Sequence, residues 1–173
     1  LDDLKANDSK YARFVSKLKE FFAVNPGQKE KVVVFSYFRK TLDYLSQRLG
    51  QDGVENFVLK GGIADKDQLV DGFHEYDGSA VLLSSEVGSE GIDLQFCRLV
   101  INYDLPWNPM KVEQRIGRID RLGQKAKKIL IWNLFSEDTI DSRIYNRLFA
   151  RLKIFEQTLG ALEQVLGDEI RRL

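Results

Sequence analysis

The chain has one cysteine and one histidine in 173 residues, Cys97 and His74. A lone thiol excludes an internal disulfide, and the pair argues against a zinc cluster or a histidine-dependent catalytic triad. Cys97, in QFCRLVIN ahead of an apolar run, reads as a small buried residue, and His74, in GFHEYDG, as a surface residue at a helix end. Prolines number three and hydrophobic residues make up 43 % of the chain, which excludes a disordered polypeptide. No apolar run approaches the ~20 residues a spanning helix needs, and no signal-peptide pattern opens the chain. The expected compartment is therefore the cytoplasm, with no membrane partner. Neither charge is in excess, Lys+Arg and Asp+Glu both totalling 26. That balance excludes a uniformly basic surface and leaves any nucleic-acid contact to local placement.

The length suits one domain of moderate size with an appendage. From Asp8 or Ser9, either a suitable N-cap, the apolar positions Tyr11, Phe14, Val15, Leu18, Phe21 and Phe22 recur at helical spacing until Asn25-Pro26-Gly27 stops them. Residues 1–30 thus read as an opening helix and linker. Lys31 to Ser36 is short, β-branched and without alternation, the pattern of a strand covered on both faces. A helix through Leu42, Leu45 and Leu49 follows. Phe57–Leu59, Ala80–Ser84, Leu99–Asn102 and Ile129–Asn133 read as further strands, with a helix over Asp65–Tyr76. Strands alternating with helices predict an α/β domain over residues 31–135, with a mainly parallel sheet flanked by helices.

In such a sheet ligands gather beyond the carboxyl ends of the strands. Three polar loops fall there: Ser36 to Arg39, Lys60 to Gly62, and Ser84 to Asp93, the last containing Ser85, Gly88 and Gly91. Serine hydroxyls, glycine-exposed amides and helix N-termini all suit phosphate oxygens. The stretch EQRIGRIDRLGQ, Glu113–Gln124, adds cations. At roughly 100° per residue, Gln114, Gly117, Arg118 and Arg121 share one side of a predicted helix, and Val112, Ile116 and Ile119 the other. Two guanidiniums on successive turns suit a polyphosphate, through forked, charge-assisted hydrogen bonds. Taken alone, the same pattern also describes a helix with solvated arginines paired to Glu113 and Asp120.

After Ser136, apolar residues from Ile140 to Leu173 hold alternating three- and four-residue spacing, predicting a helical extension over residues 136–173. Gly160 and Gly167 weaken a continuous helix by about 1 kcal/mol each relative to alanine. The extension reads either as packing back on the domain or as a coiled-coil seam with a partner.

The order FSYFRKTLDYL, KGG, LLSSEVGSEGIDL, INYDLPWNP and EQRIGRIDRLGQ resembles the second RecA-like lobe of superfamily-two helicase-type ATPases. More narrowly it is similar to the SWI/SNF-type DNA translocases and, through SEVGSEG, DLPWNP and EQRIGRIDRLGQ, to their bacterial RapA-like branch. The resemblance spans about Val32 to Asn133 and implies a RecA-like three-layer fold. It also implies ATP, with Mg2+, bound at an interface with an N-terminal RecA-like lobe, where Arg118 and Arg121 act as arginine fingers beside Gln114. Gly88, Gly91, Asp93 and Gly117 then approach the nucleotide. Ser36, Arg39, Lys60, Gly61, Ser84, Ser85, Trp107 and Asn108 fall to the nucleic-acid side, with double-stranded DNA as the implied partner. RNA polymerase is a further implied partner, and the bacterial cytoplasm or nucleoid the implied location. Glu86 departs from the many relatives that carry arginine there.

No GxxxxGK[ST] loop and no DExH-like acidic box occurs in the sequence, so the phosphate cradle and the magnesium-holding carboxylate are expected on another lobe. The chain alone is expected not to hydrolyse ATP, and reads as a C-terminal lobe cut from a longer protein. Two other readings stay open: a non-catalytic interaction module that keeps the lobe fold, and a lobe of an RNA helicase.

Overall fold

A computed structural model describes residues 8–24, 27, 29–106 and 108–134. Five parallel strands form one sheet: β1 (Lys31–Phe35), β2 (Asn56–Leu59), β3 (Ala80–Ser84), β4 (Leu99–Asn102) and β5 (Leu130–Asn133), in the order β2-β3-β1-β4-β5. Every residue of β1, β3 and β4 is buried, as their unbroken apolar runs require. The edge strands β2 and β5 are mostly half-buried. Register places Val32 between Val81 and Leu99, and Phe35 between Ser84 and Asn102. The polar residues that end these strands therefore meet along one edge.

The helices are α1 (Ser9–Val24), α2 (Arg39–Gln51), α3 (Lys66–Glu75) and α4 (Pro109–Ile116). Successive strand residues point to opposite faces, and the core divides accordingly. Val32, Val34, Val81, Leu83, Leu99 and Ile101 pack with Tyr11, Phe14 and Leu18 of α1 and with Leu42, Leu45 and Leu49 of α2. Val33, Phe35, Leu82 and Val100 pack with Val70 and Phe73 of α3, and with Leu94, Cys97 and Ile119. Right-handed crossovers account for the division, because the step from β1 to β2 runs one way along the sheet and the step from β4 to β5 the other. The result is the expected three-layer α/β fold, with the sheet between two helical layers.

The sequence reading of the elements holds with end shifts of one or two residues. Asp8 is the cap of α1, its Oδ1 accepting from the amide of Tyr11 at 2.9 Å. That helix shares the main core rather than standing apart from residues 31–134. Cys97 is fully buried, and burial raises its thiol above the usual range. His74 is exposed in the last turn of α3, stacked on Phe96 with ring centroids 4.1 Å apart. The predicted extension over residues 136–173 lies outside the described residues, and among those described no helix is long and apolar enough to cross a membrane.

One expectation fails. The helix predicted through Glu113–Gln124 ends at Ile116, and Gly117 is its C-cap. Beyond it the amides of Arg118 and Ile119 bond to carbonyls three residues back, a tightening common where α-helices terminate. The carbonyl of Arg118 accepts instead from the amide of Leu94 at 3.0 Å. The side chain of Gln124 donates to the carbonyls of Cys97 (2.8 Å) and Ile119 (3.2 Å). Tertiary partners thus take over bonds that a continued helix would have made, and Arg118 and Arg121 lie on a turn.

Candidate functional site

At the carboxyl edge, the serines read as phosphate contacts are engaged internally. Ser36 and Ser84 are fully buried and Ser85 is 7 % exposed. Ser36 donates its hydroxyl to Asp104 Oδ2 at 2.5 Å, and the hydroxyl of Ser84 donates to the carbonyl of Ser85 at 3.0 Å. Ser85 Oγ accepts from the amide of Gly88 at 3.0 Å. Gly88, expected near nucleotide, is also buried, and a Cβ there would stand 2.2 Å from the carbonyl oxygen of Leu59. Its glycine is demanded by close packing of the β3 loop on β2.

What this edge does present is cationic and aromatic. Arg39 is exposed and donates to the carbonyl of Gly61 at 3.3 Å, while Lys60 pairs with Asp43. Tyr37 and Phe38 are each about three-fifths exposed, with their rings edge to face at 5.5 Å. Asn108 is exposed, but its side-chain oxygen caps α4 by accepting from the amide of Met110 at 3.0 Å. That oxygen is committed internally, which leaves the side-chain amide nitrogen of Asn108 as the group able to face a phosphate. Trp107 lies outside the described residues.

Beneath the edge sits a residue that the spacing of outward arginines passed over. Arg115 is 3 % exposed. Its Nη1 donates to Asn102 Oδ1 (2.7 Å) and to the carbonyl of Asp104 (3.1 Å), and its Nη2 to Glu86 Oε1 (3.0 Å). The guanidinium lies 5.3 Å from the ring centre of Phe35. Burial pulls its pKa below the usual arginine range, and Glu86 and Asp104 oppose that pull. Two signals could have revealed it: Arg115 falls within about 60° of Val112 on the buried side of the helix, and an acidic Glu86 among buried loop residues needs a cation.

The second group of predicted residues gathers at the far end of α4. The loop after β3 descends through Gly91 and Asp93, and the Leu94–Arg118 bond joins it to the turn carrying the arginines. Gly91 has φ +82° and open space around it, whereas Asp93 is exposed with Oδ1 accepting from the amide of Gln95 at 3.1 Å. Gln114 is exposed. Arg121 is exposed, and its Nε donates to the carbonyl of Gly117 at 2.9 Å. Arg118 is half-buried and its guanidinium makes no hydrogen bond or ion pair among the described residues. Three of the loops expected on one edge are there. The arginine turn follows Arg115, the last-turn residue of α4 that bonds to that edge, and is joined to the β3 loop at Leu94.

This arrangement offers a carboxyl edge with Arg39, Lys60 and two exposed aromatic rings, and a turn with two guanidiniums. The model of the helicase conserved C-terminal domain matches residues 13–123. An uncharacterized ATP-dependent helicase, YqhH, of Bacillus subtilis is 42 % identical over 139 residues, covering 79 % of this chain and 24 % of its own. The RNA polymerase-associated protein RapA of Yersinia pestis is 36 % identical over 148 residues, covering 83 % of this chain and 15 % of its own. The chain thus spans less than a quarter of the length of these relatives. Among solved structures, the C-terminal part of the Fun30 ATPase domain superposes with a TM-score of 0.70 at 29 % identity, covering 81 % of this chain and 47 % of that one. The E. coli DEAD-box protein SrmB gives 0.57 at 27 % identity, covering 72 % of this chain and 70 % of that one.

Proposed function

This chain belongs to the helicase conserved C-terminal domain family, and on that premise we propose that it is the second lobe of a SWI/SNF-type, ATP-dependent DNA translocase. Arg118 and Arg121 would reach the phosphates of ATP bound on a partner lobe, while the carboxyl edge touches the DNA backbone. The observation that carries this reading is the contrast between two arginines three residues apart. Arg115 spends both terminal nitrogens inside the protein, and Arg118 spends none among the described residues. A guanidinium left without an internal partner among the described residues has its fork free for an external polyphosphate.

The site fits a polyphosphate from this side only. Gln114, Arg118 and Arg121 supply donors, and the open backbone at Gly91 allows close approach. The described residues bring together no group of three or more His, Cys, Asp or Glu able to hold a metal ion. Mg2+ is assigned to carboxylates of the partner lobe because this sequence carries no DExH-like acidic box. In phosphoryl transfer the arginines place positive charge where negative charge grows, and a finger supplied from a second body contributes ~10³ to 10⁵ in rate. Nucleotide binds across two lobes, so hydrolysis would open and close them, and each cycle would shift one grip on the duplex.

On the nucleic-acid side, Arg39 and Lys60 offer phosphate contacts without base readout. Binding would be weakly sequence-selective and salt-sensitive. Duplex DNA is favoured over RNA by Trp107-Asn108-Pro109 and by Leu122-Gly123-Gln124, the segments that resemble the duplex-DNA branch.

The test is Arg118→Ala in the full-length protein. Hydrolysis should fall by ~10³-fold or more while ATP binding, followed by a fluorescent analogue, changes little. Wild-type turnover in that variant would remove the finger assignment. Stimulation by RNA but not by duplex DNA would place the lobe with the RNA helicases.

A further inference from the structure

We propose that Arg115 is a positioning residue through which contact at the carboxyl edge sets the placement of Arg118 and Arg121. The inference rests on the reading of those two arginines as fingers and assigns a new role to the buried network beside them.

The network is continuous. At one end, the hydroxyl of Ser36 and the amide of Tyr37 both donate to the carboxylate of Asp104, at 2.5 and 2.8 Å. Next, the carbonyl of Asp104 and the side chain of Asn102 accept from Arg115 Nη1, and Asn102 Nδ2 donates onward to Asn133 Oδ1 at 2.8 Å. On the other side Arg115 Nη2 donates to Glu86, which also faces Lys111 at 3.5 Å. The ends of β1, β3, β4 and β5 are therefore gathered on one guanidinium. That guanidinium belongs to the last turn of α4, where the carbonyl of Arg115 accepts from the amide of Arg118 at 3.2 Å.

Two details separate this from an ordinary buried ion pair. Arg115 Nε is buried with no hydrogen-bond partner, so the side chain is held by its fork alone. The loops it holds carry exposed groups: Tyr37 follows Ser36, and Val87, 59 % exposed, follows Glu86. A duplex pressing on those loops displaces Asp104 and Glu86 together, and Arg115 must follow because a buried cation cannot be left unpaired. The turn at Gly117 then carries the displacement to Arg118.

The experiment uses the full-length protein and measures ATP turnover against duplex DNA concentration for wild type, Glu86→Gln, Arg115→Lys and Arg118→Ala. Thermal unfolding is followed in parallel. Glu86→Gln keeps shape and an acceptor but removes the charge. It should lower DNA-saturated kcat about tenfold, the loss expected when a hydrogen bond between charged groups is weakened. The KM for ATP and the DNA concentration for half-stimulation should stay within about twofold, because neither surface is touched. Arg115→Lys, a point charge in place of a fork, should lose at least as much. Should Arg115→Lys not fold, Glu86→Gln decides. A parallel fall in DNA-free and DNA-saturated rates, or a stimulation ratio equal to wild type, would overturn the proposal. Arg118→Ala separates the two failures: if it alone abolishes turnover while Glu86→Gln retains full stimulation, the fingers stand and the coupling falls.

Discussion

The Nε of Arg121 donates to the carbonyl of Gly117 at 2.9 Å, so one arginine of the turn is tethered to the cap of the helix before it. The tether leaves the two terminal nitrogens of Arg121 available while fixing the direction in which they point. Arg118 has no such anchor among the described residues.

The difference predicts unequal tolerance of lysine. Lysine has no Nε equivalent, so Arg121→Lys loses both the tether and the fork, and hydrolysis should fall nearly as far as in Arg121→Ala. Arg118→Lys loses only the fork and should retain about tenfold more activity than Arg118→Ala. Steady-state turnover of the four variants in the full-length protein checks this. Equal retention by both lysine variants would argue against the tether.

Asp43 competes for a cation assigned to DNA. It is 62 % exposed and pairs with Lys60, and a pair of that kind is worth at most about 1 kcal/mol. A phosphate approaching Lys60 must displace it. Asp43→Asn should therefore tighten duplex binding by about two- to fivefold, and Lys60→Ala should reduce the slope of log affinity against log salt by about one. Fluorescence anisotropy over a salt series measures both, and an unchanged slope in Lys60→Ala would move the backbone contact elsewhere.

Gly88→Ala should destabilise the fold by about 2–3 kcal/mol, because the added carbon collides with backbone that cannot yield without parting β2 from the β3 loop. The same change at Gly50, which has open space around it and lies in α2, should stabilise slightly. Urea denaturation of the two variants gives the comparison.

Alkali should unfold the protein through its buried and half-buried phenols. Burial pushes the pKa of Tyr44 up to about 12, helped by the hydrogen bond it donates to Asp8 at 2.7 Å. Burial moves Tyr11 and Tyr103 the same way. A raised pKa means the folded state holds its proton longer than the unfolded state. The stabilisation is thus complete below pH 10.0 and is lost as pH rises toward about 12. Tyr44→Phe should cost about 1 kcal/mol at neutral pH and flatten the alkaline decline. Unfolding free energies measured from pH 8 upward check the sign.

The strands were legible because β1, β3 and β4 are covered on both faces and must be written as plain apolar runs. The arginine segment was legible in composition but not in shape. Helical arithmetic counts side chains on a cylinder and cannot register that Leu94, distant in sequence, and the side chain of Gln124 take over bonds that would continue the helix. The serines were ambiguous for a related reason: at the end of a strand a hydroxyl serves equally well to close a loop internally or to greet a ligand. Only the burial of Ser36 and Ser84 separates the two. Arg115 was hidden because a cation on an apolar helix face contradicts simple patterning until its acidic partner, Glu86, is found beside it.

The strand order has a consequence for how the chain is made. β1 sits at the centre of the sheet, yet its neighbours begin at Ala80 and Leu99. A ribosome adding about 5–20 residues per second would leave Val32 to Phe35 without partners for several seconds. Of the five strands β1 emerges first, and it gains its second neighbour only with β4. Until β4 emerges it is a sticky, extended segment, the kind that nascent-chain chaperones engage, so expression yield should depend on them more than the finished lobe's stability would suggest.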